Sequence, residues 1–152
     1  MMKRTLIAAV LLLAAPTAAL AGVLFPRAQA LVDSVIAKNP GMLDVIMHVS
    51  PTPLSKNIVV AAHLTKANGE ASGDDDIGVM KSGAPLVEVQ KDGVRLGILV
   101  QMHDARHRTI GALGLMYPYK PGDDIEATML RSFAIRDALA TRIPSRKALV
   151  QG

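Results

Sequence analysis

The chain has 152 residues, with 17 Lys and Arg against 13 Asp and Glu, a formal charge of +4, and no cysteine or tryptophan. Without cysteine there is no disulfide, thiolate metal site or thiol nucleophile, so stability must come from apolar burial. A small basic excess with no Lys/Arg cluster argues against nucleic acid as a partner, and two Tyr and two Phe leave few aromatic platforms for carbohydrate.

Residues 1–21 read as a secretory signal peptide. Lys3 and Arg4 form a basic start, Leu6 to Leu13 a short apolar run broken at Pro16, and Ala19-Leu20-Ala21 a small-residue cleavage site. The run is too short for a membrane span. Removing it takes away two bases, leaving 15 against 13 acids. The expected location is therefore periplasmic or secreted, with residues 22–152 as one domain and no membrane span after cleavage.

Pro26 suits the first turn of a helix, and Ala28, Leu31, Val32, Val35 and Ile36 recur at helical spacing. Lys38-Asn39-Pro40-Gly41 ends it. Leu43, Val45, Met47 and Val49 alternate with Asp44, Ile46, His48 and Ser50, as a strand does. A proline-stiffened loop leads to a second, β-branched strand over 57–64. The polar loop 65–73 is expected to be mobile. Asp74-Asp75-Asp76 then opens a short helix that closes at Lys81-Ser82-Gly83. Acids suit a helix start, and consecutive acids do not match the alternate spacing of a calcium loop.

Leu86 to Gln90 is a third strand, and Lys91-Asp92-Gly93 a hairpin turn. Val94 to His103 and Thr109 to Tyr119 are the fourth and fifth strands, joined by the loop Asp104 to Arg108. Pro121-Gly122-Asp123-Asp124 starts a last helix whose stripe is Ile125, Met129, Phe133, Leu139 and Ile143, flanked by Ile135. Pro144 stops it, and the remainder reads as a frayed tail. Short hairpins require antiparallel pairing, and apolar helix stripes must be hidden against the sheet. The fold class is α+β, a five-stranded antiparallel sheet with the N- and C-terminal helices packed on one face.

The run Val100-Gln101-Met102-His103-Asp104-Ala105-Arg106-His107-Arg108-Thr109-Ile110-Gly111-Ala112-Leu113-Gly114 resembles the last hairpin of extracytoplasmic PAS-like sensor domains of the Cache type. There, a strand ends in an Asp-containing turn and returns through Ile-Gly with small and apolar residues. The short helix followed by Ser82-Gly83-Ala84-Pro85 and a strand is similar too. The resemblance covers most of Leu43 to Tyr119. It implies a PAS/Cache-like sheet and a sensor-like domain that holds a small-molecule ligand. His107 stands where a turn glycine is common.

Four candidates for ligand anchoring emerge: His48, His63, Tyr117 and Tyr119. If Ser50 opposes Asn57, His48 lies opposite Val59, and His63 falls on the same face roughly 13 Å farther along. That span suits pocket lining and is too long for one metal ion. A one-residue slip would put the two on opposite faces. Tyr117 and Tyr119 share a face of the fifth strand and can hydrogen-bond a ligand or cap the core. His103 and His107 flank a loop and read as a solvated turn. Met47 and Met102, each beside a histidine, read as core filler, since strand neighbours point apart. Ser50, Ser55 and Ser82 lie in no nucleophile pattern, and Asp44 and Glu88 show no partner for acid–base work. Ligand binding without catalysis is the first expectation, with the cofactor unknown. An envelope adaptor is the second, and metal or haem binding through the histidines a weaker third. A homodimer is left open.

Overall fold

The fold is that of a computed structural model, which describes residues 24–151. The expected leader, residues 1–21, lies outside the described residues. Pro26 does begin the first helix, α1 (Pro26–Lys38), which buries Ala28, Leu31, Val32 and Val35. Strands β1 (Asp44–Val49) and β2 (Ile58–Ala62) follow, then a 3-10 turn (Thr65–Ala67) and helix α2 (Asp74–Ser82). The α2 helix is closed by Gly83, whose φ of 76° is a backbone conformation that glycine adopts without a Cβ penalty. Strands β3 (Leu86–Val89), β4 (Arg95–His103) and β5 (Thr109–Pro118) come next, and helices α3 (Ile125–Ala140) and α4 (Arg146–Gln151) end the described chain.

The five strands form one sheet in the order β2-β1-β5-β4-β3, antiparallel throughout. Register then sorts side chains by parity, because successive residues alternate faces. Val45, Met47 and Val49 fall with Leu113, Leu115, Leu96, Ile98 and Val100 on one face, all buried. Helices α1 and α3 cover this face, as the hidden stripes require. Asp44, Ile46 and His48 fall with Gly114, Met116, Gly97 and Leu99 on the other, which only α2 crosses. Gln101 ties that helix down by donating to the Met80 carbonyl at 2.8 Å.

Three local expectations are corrected. The segment after Pro144 is not frayed: it forms α4, packs against α1 and buries Leu149 completely. Its six residues are too few for helical periodicity to declare itself, and Ser145 supports its start by accepting from the Ala148 N–H at 3.1 Å. Loop 65–73 is tied to β2, with Gly69 N–H donating to the Val59 carbonyl and Val59 N–H to the Glu70 carbonyl. In α3, Ile125, Met129 and Phe133 are only half-buried, and Ser132, Ile135 and Leu139 carry the contact with the sheet.

The loop between β4 and β5 is built on Asp104, which is fully buried. Its Oδ1 accepts from the Arg106 and Arg108 N–H groups, and its Oδ2 from the Arg108 guanidinium. Burial pushes this carboxyl up, but the Arg108 side chain and the two backbone donors outweigh it and hold it below the usual carboxylate range. His107 takes a φ of 59° in this loop, the left-handed conformation for which glycine is the common choice.

Candidate ligand cavity

The sheet face crossed by α2 is incompletely filled. A cavity of about 530 Å³ lies between the start of α2, strand β3 and the sheet surface of β1, β5 and β4. Its apolar floor and walls are Ile46, Leu86, Leu99 and Met116. The room exists because Gly97 and Gly114 place no side chain there. A Cβ added at Gly114 would meet Ile46 Cβ at 3.6 Å, Leu99 Cδ1 at 3.8 Å and His48 Nε2 at 3.9 Å. Polar groups ring the rim: His48, Asp74, Asp75, Asp76, Glu88 and Gln90.

His48 is the most constrained of these, and its surroundings assign its tautomer. Nδ1 stands 2.9 Å from Ser72 Oγ and 3.3 Å from Asp76 Oδ2. Ser72 uses its own proton to donate to Asn57 Oδ1 at 2.6 Å, and a carboxylate oxygen only accepts. Nδ1 therefore carries the hydrogen and donates, and Nε2 is left with a lone pair beside Gly114. Burial lowers the pKa of His48 and the nearby Asp76 carboxylate opposes the shift; burial prevails, which favours the neutral ring. Asp76 has a second task as the helix cap, accepting from the Gly73 N–H at 2.8 Å.

Of the four sequence candidates, His48 alone lines this cavity. The pairing of His48 with Val59 is observed, but a β-bulge in β2 follows it, so that Met47 pairs with Ala61 and leaves Val60 extra. The extra residue turns the rest of the strand over. His63 N–H consequently donates to the carbonyl of Val45, a residue of the helix-covered face, and the His63 side chain is exposed. Tyr117 is also on the helix side, buried beneath α3, with its hydroxyl 2.8 Å from Ser132 Oγ and the Arg131 guanidinium 5.7 Å from its ring centre. Tyr119 is half-buried against the same core. The sheet thus separates His48 from both tyrosines.

Asp74 to Asp76, expected as helix caps, and Glu88, expected as a lone strand residue, also line the cavity. The signal was available in the parity of β3 and β4: Glu88 pairs with Gly97, on the face of His48. A second cavity of about 410 Å³ at the opposite end of the sheet is lined by Arg108, Arg146 and Lys147 with Ser50, Thr109 and Ser145. Among the described residues no three His, Asp or Glu side chains converge as a metal-binding group, and no helix is long and apolar enough to cross a membrane.

An α+β domain with one helix-covered sheet face and one partly open, acid-rimmed face is what the fold and cavity define. No family model matches the chain, and no curated protein matches it. Among solved structures it is similar to a chain of the E. coli DhaR(N)–DhaL complex, with a TM-score of 0.51 at 11% identity over 83% of this chain and 49% of that one. The present chain therefore spans about half the length of that protein, and the likeness is one of fold alone. The inducer-binding domain of the PobR transcription factor from Acinetobacter, a double mutant in complex with 3-hydroxybenzoic acid, aligns with a TM-score of 0.46 at 12% identity over 78% of this chain and 95% of that one. A light-oxygen-voltage domain aligns at 0.36 and 13% identity over 69% of this chain and 95% of that one.

Proposed function

We propose that this chain is an exported, PAS-like small-molecule-binding domain with a sensor-like role and binding rather than catalysis as its activity. The observation that carries the proposal is the cavity of about 530 Å³ under α2, with His48 at its wall. Its size is in the range of small-ligand sites, and it sets apolar residues of the sheet against polar groups at the rim that can orient a guest. The antiparallel order β2-β1-β5-β4-β3 supports the PAS-like reading. Export to a periplasmic or extracellular compartment rests on residues 1–21, and the mature domain would be residues 22–152.

Native mass spectrometry of protein recovered from its own compartment, followed by a thermal-shift panel of organic acids, amines and purines, tests the proposal. A retained small molecule or a saturable shift is expected, weakened by His48→Ala and unaffected by His63→Ala. A chain that retains nothing and shifts with no compound would count against ligand binding. A second reading, the adaptor, has one observation in its favour. Strand β3 is a four-residue edge with Leu86 and Val89 exposed, and a free edge can accept a strand from an envelope protein or a second copy. Cross-linking in envelope extract that vanishes on Val87→Pro would favour it.

A further inference from the structure

The cavity wall carries one sign of charge. Asp74, Asp75 and Asp76 line it from α2 and Glu88 from β3, and no lysine or arginine does. Among the described residues none of the four carboxylates is paired with a lysine or arginine. Acids at a helix start are ordinary in themselves, because the helix dipole favours them there.

The independent observation is His48. Its side chain is 10% exposed, and its Nδ1–H is taken by Ser72 and Asp76. Among the described residues no group donates to Nε2, whose lone pair stands beside Gly114 at the cavity floor. The ring is nearly buried but Nε2 opens onto the cavity, where its lone pair can accept from water or from a guest. The surrounding carboxylates decide which guest: they repel an anion, are indifferent to a neutral hydroxyl, and attract a cation. An ammonium group meets both demands, having N–H donors for Nε2 and a positive charge for the wall.

We infer that the cavity takes an amphipathic organic cation, with a protonated primary or secondary amine between His48 Nε2 and the carboxylates and an apolar body on Ile46, Leu99 and Met116. This deepens the proposed ligand-binding function and rests on it. The guest's charge is what is new: the sign at this wall selects against organic acids, and the basic second cavity lies at the other end of the sheet.

The test uses three probes of similar size, 2-phenylethylamine, 2-phenylethanol and 3-phenylpropanoate, titrated into the mature protein by calorimetry at low salt and near-neutral pH. The amine is expected to bind about tenfold or more tighter than the alcohol, and the acid not at all. Replacing the exposed Asp75 and Glu88 together, as D75N/E88Q, should weaken the amine by about tenfold, the scale of two part-exposed charge pairs, and leave the alcohol unchanged. Gly114→Ala, which makes only ordinary contacts, should weaken the amine by a similar factor without loss of fold. An alcohol or acid that binds as tightly as the amine, and is lost in Gly114→Ala, would overturn the cation assignment and leave the cavity as a ligand site. Amine binding that neither variant changes would also overturn it. If none of the three binds and no amide resonance near His48 moves, the ligand-binding reading falls with it.

Discussion

Two glycines three residues apart in β5 should respond in opposite ways to the same added methyl group. Gly111 pairs with Val49 of β1, and a Cβ there would overlap the His48 carbonyl oxygen and lie 3.0 Å from Val49 Cγ2. Backbone cannot swing aside as a side-chain end can. To reach ordinary contact the two central strands must part by about an ångström, on the scale of non-bonded contact distances. Overpacking of this kind costs about 1–3 kcal/mol, and each ladder hydrogen bond stretched at the same point adds about 1 kcal/mol. Gly111→Ala should therefore destabilise the domain by about 3 kcal/mol, which for a chain of this size lowers the melting temperature by roughly 10 °C. Gly114→Ala meets nothing closer than 3.6 Å and should stay within about 1 kcal/mol of the parent. Urea and thermal denaturation of the three proteins side by side would measure both. A Gly111→Ala protein melting within about 2 °C of the parent would refute the close approach of β1 and β5 at His48.

Two further outcomes are expected. His48 should titrate below its ordinary value in an NMR pH series, and Asp76→Asn should lower it further, because burial is then left unopposed. Since its folded pKa lies below the unfolded value of about 6.5, the stability linked to His48 is complete above that pH and declines as pH falls from there toward the folded pKa. Leu149→Ala should cost about 2–5 kcal/mol by equilibrium unfolding, as for a fully buried leucine, whereas a loose tail would lose nothing measurable.

Much of the fold was legible because its signals are local. Proline at the start of α1, glycine after α2, the Asp-Gly turn before β4 and the alternation in β1 each act over a few residues. Even the pairing of His48 with Val59 followed from assuming a tight register at the β1–β2 connection. The failures have a common physical origin in contacts between distant segments. The bulge at Val60 leaves no mark in a run of β-branched residues, yet it removes His63 from the site. The burial of Leu149 depends on α1, far away in sequence, and no six-residue window can announce it. Of the two roles open to Tyr117, its partner decides for the core: Ser132 of α3 meets its hydroxyl from fifteen residues away and lies outside the expected apolar stripe. The acids were seen, but their capping role, which Asp76 does fulfil, hid the fact that one carboxylate can also face an imidazole.

The strand that carries His48 is also one of the two on which α1 rests. Met47 and Val49, its immediate neighbours, point the other way and are completely buried in the layer beneath that helix. A single thickness of polypeptide is all that divides the imidazole from the helical layer. Gln29 of α1, donating to the Ala62 carbonyl at 3.0 Å, clasps the adjoining strand from the same helix. The N-terminal helix thus packs on the back of the strand whose other face carries the cavity histidine.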